Sequence, residues 1–123
     1  MKLVLAVVPP SRMEAVRQAL AEVHVTRLSV VDGHGYQTRT SSAAEGASQR
    51  IVRHLVLEIA VNDDFLDRTV EVIEQALRLR APADTDLASE SSQDYVIDPG
   101  GIYVLPMDTA VQIYRDVRGP EAL

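Results

Sequence analysis

The stretch IVRHLVLEIAVNDD, residues 51 to 64, constrains the fold more than any other. Leu55, Leu57, Ile59 and Val61 alternate with His54, Val56, Glu58 and Ala60, the period of a β-strand whose two faces meet different surroundings. Asn62, Asp63 and Asp64 follow at once, residue types that cap a helix and favour its positive end. Leu66, Val70, Ile73 and Leu77 then recur at helical spacing, and Glu74 with Arg78 adds a supporting pair near the helix end, where Arg80 also falls. A strand with one apolar face must bury it, and the helix joined to it carries a stripe that can do so.

A similar unit opens the chain. LVLAVV, residues 3 to 8, is a continuous apolar run stopped by Pro9 and Pro10. Ser11 and Glu14 have the spacing of a capping box, and Met13, Val16, Leu20 and Val23 predict a helix over about residues 12 to 22. Val25 to Val31 is β-branched and reads as a second strand running into DGHG, residues 32 to 35. IYVLP, residues 102 to 106, follows the Pro99, Gly100, Gly101 punctuation as a fourth strand, and AVQIYRDV in the tail offers a short fifth. Strand, helix, strand, strand, helix, strand is the order of an α+β, ferredoxin-like βαββαβ sandwich, an antiparallel sheet with two helices on one face. The other sheet face, carrying His54, Val56 and Ala60, is apolar enough to expect cover from further copies of the chain.

The 123 residues, 46% hydrophobic and 24% charged, fit one domain over residues 1–123. Two segments have little to bury: DGHGYQTRTSSAAEGASQR, residues 32 to 50, and the acidic APADTDLASESSQDYVID, residues 81 to 98. Loops this long in a small domain usually serve function. A net charge of -6 provides no field for phosphate backbones, which argues against nucleic acid as a partner. The absence of cysteine excludes disulfides and thiolate metal sites. The apolar run in MKLVLAVVPP is too short to span a bilayer and lacks a small-residue cleavage pattern, so the expected location is the cytoplasm, without membrane insertion.

No constellation of catalytic type stands out. Gly33 and Gly35 follow a strand but precede no helix, so they read as a turn and not a dinucleotide fingerprint. His24, His34 and His54 fall on different elements, which gives no metal site within one chain. Ser41, Ser42 and Ser48 lack a nucleophile elbow, and Asp63 with Asp64 reads as a helix start before an acid-base pair. Arg39, Arg50 and Arg53 bracket the first long loop, and Arg115 and Arg118 lie in the tail. Guanidinium forks there suit phosphate or carboxylate, and equally suit a solvated surface.

Taken together, several stretches resemble the PII signal-transduction family. MKLVLAVVPPSRMEAVRQALAEVHVTRLSV resembles its first strand and helix, GHGYQ at residues 33 to 37 resembles the G-F-G-R-Q that opens its T-loop, LVLEIAVNDDFLDRTVEVIEQAL its third strand and second helix, and GGIYVLP the strand after its B-loop. The resemblance implies a non-enzymatic homotrimer of ferredoxin-like subunits that binds adenine nucleotides in clefts between neighbours and controls a target protein through the T-loop. On that reading Ser29, Gly33, Gly35 and Gln37 line the cleft, and Gly100 is a B-loop glycine. The T-loop would span about residues 36–52, the acidic loop 81–98 and the tail 107–123.

The chain also departs from the family pattern. Gly101 stands at the B-loop lysine position, Gln112, Ile113 and Tyr114 replace a paired-arginine motif with Arg115 one residue on, and no tyrosine occurs between Gln37 and Asp94. His54 stands where nitrogen-sensing members use a lysine for 2-oxoglutarate. The ending RGPEAL is similar to that of PII-like proteins tied to carbon uptake, which bind AMP, ADP or cyclic AMP and grip phosphate with arginines of the loop stem, a role that falls to Arg39 and then Arg50. The expected ligand is therefore an adenine nucleotide (AMP, ADP, ATP or cyclic AMP) with no metal required, contacted by Ser29, Gly33, Gly35, Gln37, Arg39, Gly100, Gly101 and Arg115, and the expected partner is a membrane transporter. The alternative is a trimeric, CutA-like structural or metal-handling protein without nucleotide binding; an acylphosphatase-like enzyme would need a nucleophile that the sequence does not position.

Overall fold

The structure, a computed structural model, describes residues 1–39, 48–78 and 100–123. Strand β1 (Lys2–Val8) leads through a 3-10 turn (Pro10–Arg12) to helix α1 (Met13–Glu22), followed by β2 (Ser29–Arg39), β3 (Ser48–Val61), helix α2 (Asp63–Arg78) and β4 (Gly101–Pro106). The four strands form one antiparallel sheet in the order β2-β3-β1-β4, the order of a ferredoxin-like sandwich. The tail forms a separate hairpin of β5 (Val111–Gln112) and β6 (Val117–Arg118), not a fifth strand of the main sheet, and ends in a 3-10 turn over Gly119–Ala122.

Alternation decides what is buried. Val4, Ala6 and Val8 of β1 and Leu57, Ile59 and Val61 of β3 face Val16 and Leu20 of α1 and Ile73 and Ala76 of α2, forming a single core. Fully burying a side chain such as Leu57 or Ile73 contributes roughly 1.5–3 kcal/mol, so this face carries most of the stability. The α2 stripe is centred on Thr69, Ile73 and Ala76, with Leu66 and Leu77 beside it, and Val70 sits at its margin. Thr69, 1% exposed, is tolerated there because its hydroxyl donates to the Phe65 carbonyl at 2.7 Å.

The helix ends differ from the sequence expectation. Ser11 does not cap α1: it lies inside the 3-10 turn, the residue before the helix is Arg12, and the cap makes no side-chain hydrogen bond. Glu14 turns along its own helix to Arg17 and Gln18, whose hydrogen bonds hold its carboxyl below the usual range. The far end of α1 closes with the His24 N–H donating to the Ala21 carbonyl and the Val25 N–H to the Leu20 carbonyl, and His24 takes a left-handed φ of 64°. At α2, Asp63 is the first helical residue and accepts from the Met1 ammonium at 3.0 Å, while Asn62 Nδ2 donates to the Pro120 carbonyl at 3.2 Å and so ties the tail to the body.

The strand predicted over Val25 to Val31 begins only at Ser29 and runs on through Gly33 and Gly35 to Arg39. The glycine pair is therefore strand interior and not a turn. Local sequence suggested punctuation, but β3 offers a continuous ladder from Ser29↔Glu58 to Arg39↔Ser48, and backbone pairing wins. The ends of the 36–52 segment are thus paired strands. Residues 40–47 of that loop and all of the acidic 81–98 segment lie outside the described residues.

Candidate ligand site on the open sheet face

The sheet face away from the helices carries the odd-numbered residues of β1, β2 and β4 and the even-numbered residues of β3. Leu3, Leu5 and Val7 are half-buried there, Val56 likewise, and Val31, Tyr103 and Leu105 are exposed, with Glu58 among them. One row runs straight across the sheet: Gly101 on β4, Val7 on β1, Val56 on β3, Val31 on β2.

Most sequence-predicted site residues fall on this face, but one chain does not bring them together. Ser29 pairs with Glu58, Gly33 with His54 and Gly35 with Val52, while Gln37 and Arg39 lie opposite Arg50 and Ser48 further along the ladder. Gly101 is three strands away, roughly 14 Å at the usual inter-strand spacing. Gly100 precedes β4 at φ +76°, and a β-carbon on it would meet the Val7 carbonyl oxygen at 2.8 Å, so only glycine fits. The Tyr103 ring folds back over Gly101, its hydroxyl 2.9 Å from where a β-carbon would stand. Arg115 is exposed in the Ile113–Asp116 turn of the tail hairpin, on neither edge of the main sheet.

Two features were not read from the sequence. The first is the His54 ring, which fills the space left by both glycines. A β-carbon on Gly33 would lie 3.2 Å from Nε2, and one on Gly35 would lie 3.1 Å from Cε1 and 3.3 Å from Nδ1. His54 Nδ1 is itself buried and bonds to nothing. The signal was present in the pairing of a Gly-x-Gly with an alternating strand, but using it required the register. The second is a cleft of about 340 Å³ at the opposite end of the β2–β3 ladder, lined by His24, Thr26, Arg27, Asn62, Phe65 and Leu123 among others. Asn62 Oδ1 is buried without a partner beside it.

Of the arginines around the loop, Arg53 is already engaged. It lies on the helix-side face of the β2–β3 ribbon and binds Asp32 through Nε at 3.1 Å and Nη2 at 2.7 Å. Those hydrogen bonds hold the Asp32 carboxyl below its ordinary range. Among the described residues no group of three His, Cys, Asp or Glu is arranged to hold a metal ion, and no helix is long and apolar enough to cross a membrane.

Comparison with known proteins decides the family. The family model described as Nitrogen regulatory protein P-II matches residues 1–117. The chain belongs to the P-II family. It is 32% identical over 127 residues to Nitrogen regulatory protein GlnK1 of Methanosarcina mazei, covering 100% of this chain and 97% of that protein. It is 30% identical over 127 residues to Nitrogen regulatory protein P-II of Rhizobium etli, covering 100% of both. Among solved structures, a B. subtilis GlnK-ATP complex superposes with a TM-score of 0.73 at 23% identity, over 99% of this chain and 96% of that one, a likeness of fold. P-II proteins are regulators and not enzymes.

Proposed function

We propose that this P-II protein is a homotrimeric, cytoplasmic signalling protein that binds an adenine nucleotide in clefts between its copies. Ligand occupancy is relayed to a target, a membrane transporter, by ordering of the 36–52 T-loop. The observation that carries this reading is the separation of the candidate residues on one open, largely apolar face. Gly33 and Gly35 near one edge and Gly100 and Gly101 near the other are held three strands apart within one chain and do not converge on one spot. A second copy seated on that face would bring one set against the other and cover Leu5, Val7, Val56 and Tyr103 at the same time. The fold shared with a GlnK-ATP complex adds support for the ligand class.

Within such a cleft Ser29, Gly33, Gly35 and Gln37 line one wall, and Gly100 and Gly101 the other. Gly101 brings no lysine charge, so Arg39 and Arg115 supply the positive groups that phosphate requires. That substitution supports reading the protein as similar to the carbon-uptake PII-like members in preference to the nitrogen-sensing ones. A ligand then acts as a switch to the extent that it binds the ordered loop better than the free one. Calorimetric titration with AMP, ADP, ATP and cyclic AMP tests the reading, together with the mass of the protein in solution. Binding by a trimer is the expected result, and silence with all four nucleotides overturns it.

A further inference from the structure

We propose that the His54 imidazole is a displaceable plug: the ring and the phosphate of an anionic ligand compete for the slot above Gly33 and Gly35. This rests on the nucleotide reading, in which the backbone at those glycines approaches the ligand. The missing side chains of Gly33 and Gly35 leave a groove on the open face of the β2–β3 ribbon, and the His54 ring lies in it from end to end. Its Nε2 stands 3.2 Å from the Gly33 β-carbon position and its Cε1 3.1 Å from that of Gly35. A ligand reaching the glycine backbone from that face meets the ring first.

The seated ring is not at rest in every respect. Nδ1 is buried with no hydrogen-bond partner, a cost that packing must offset. Swinging out returns that nitrogen to water and uncovers the glycines in the same motion. The charged groups around the slot do not supply Nδ1 with a partner. On β3, Arg50 and Glu58 share the side of the ribbon on which His54 lies, and Arg53 is on the other side with Asp32 and His34 of β2, Asp32 being held by Arg53. β1 brings Lys2, opposite Val61 at the far end, and the 3-10 turn brings Arg12. With Nδ1 unpartnered in the slot, no polar contact of that nitrogen holds the ring against an incoming ligand.

The test is titration of the full chain with ADP, comparing wild type with His54→Ala and, as a small polar alternative should alanine fold poorly, His54→Ser. The expected result is several-fold tighter binding by both variants than by the wild type. Unchanged or weaker binding by variants that melt as the wild type does overturns the plug while leaving the nucleotide reading in place. If neither wild type nor variants bind any adenine nucleotide, the nucleotide reading fails instead. Sodium pyrophosphate added to the wild type then decides the plug by NMR: a shifted His54 ring resonance upholds it, and an unmoved one overturns it.

Discussion

Arg53 holds Asp32 across the β2–β3 ribbon with two hydrogen bonds from adjacent guanidinium nitrogens, at 3.1 and 2.7 Å. The pair lies on the diagonal of the ladder, Asp32 opposite Leu55 and Arg53 opposite His34. Because the folded-state pKa of Asp32 is lowered, its contribution to stability is present above the unfolded carboxylate pKa and is lost as pH falls through the folded value. NMR titration of the Asp32 carboxyl should show a low midpoint that returns toward the ordinary range in Arg53→Gln. The same variant should leave nucleotide affinity within about twofold, since an arginine committed to Asp32 is not the phosphate contact. A large loss of affinity would move Arg53 into the site.

Two glycines with nearly the same positive φ should respond differently to alanine. Gly100 at φ +76° has the Val7 carbonyl oxygen 2.8 Å from a would-be β-carbon, whereas Gly119 at φ +78° has nothing within 4 Å. Gly119→Ala should cost about 1–2 kcal/mol, the left-handed penalty alone. Gly100→Ala should cost more than Gly119→Ala, because it adds a clash with the strand backbone to that penalty. Urea unfolding of the two variants checks the order, and equal costs would show that the start of β4 yields.

His24 occupies the left-handed position that ends α1, where glycine is the usual residue. His24→Gly should raise stability by about 0.5–1 kcal/mol by removing the β-carbon penalty. Thermal melting reads this out. A loss of stability would mean that the imidazole makes a contact at the neighbouring cleft, where it is one of the lining side chains.

The open face makes a separate prediction. Val56 lies at its centre, between Val7 and Val31 in the row that crosses the sheet. Val56→Asp places a charge where a second copy would have to seat, and should convert the proposed trimer to monomer while the helix-side core stays intact. Light scattering after size exclusion measures the mass, and circular dichroism confirms the fold. A trimer that persists would place the interface elsewhere.

Much of the fold was legible because it follows from period. The alternation of Leu55, Leu57, Ile59 and Val61 defined β3 and its buried face, and the spacing of Val16 and Leu20 defined α1. Other elements were misread where non-local contacts outweighed local preference. Gly33 and Gly35 look like a turn until β3 pairs with them, and Ser11 looks like a cap until the prolines before it wind a 3-10 turn. Thr69 and Ala76 replaced Val70 at the centre of the α2 stripe because the docking angle of the helix, and not hydrophobicity alone, selects the buried face.

The candidate site divides in the same way. Sequence by itself determined the family, the strand and helix order, and the presence of two glycines with flanking arginines. Tertiary structure decided that His54 fills the glycine slot, that Arg53 is spoken for by Asp32, and that Gly33 and Gly101 stand three strands apart on one face. The reason is physical: period states which side chains alternate along one strand, whereas register, fixed by hydrogen bonds between strands distant in sequence, states which of them meet.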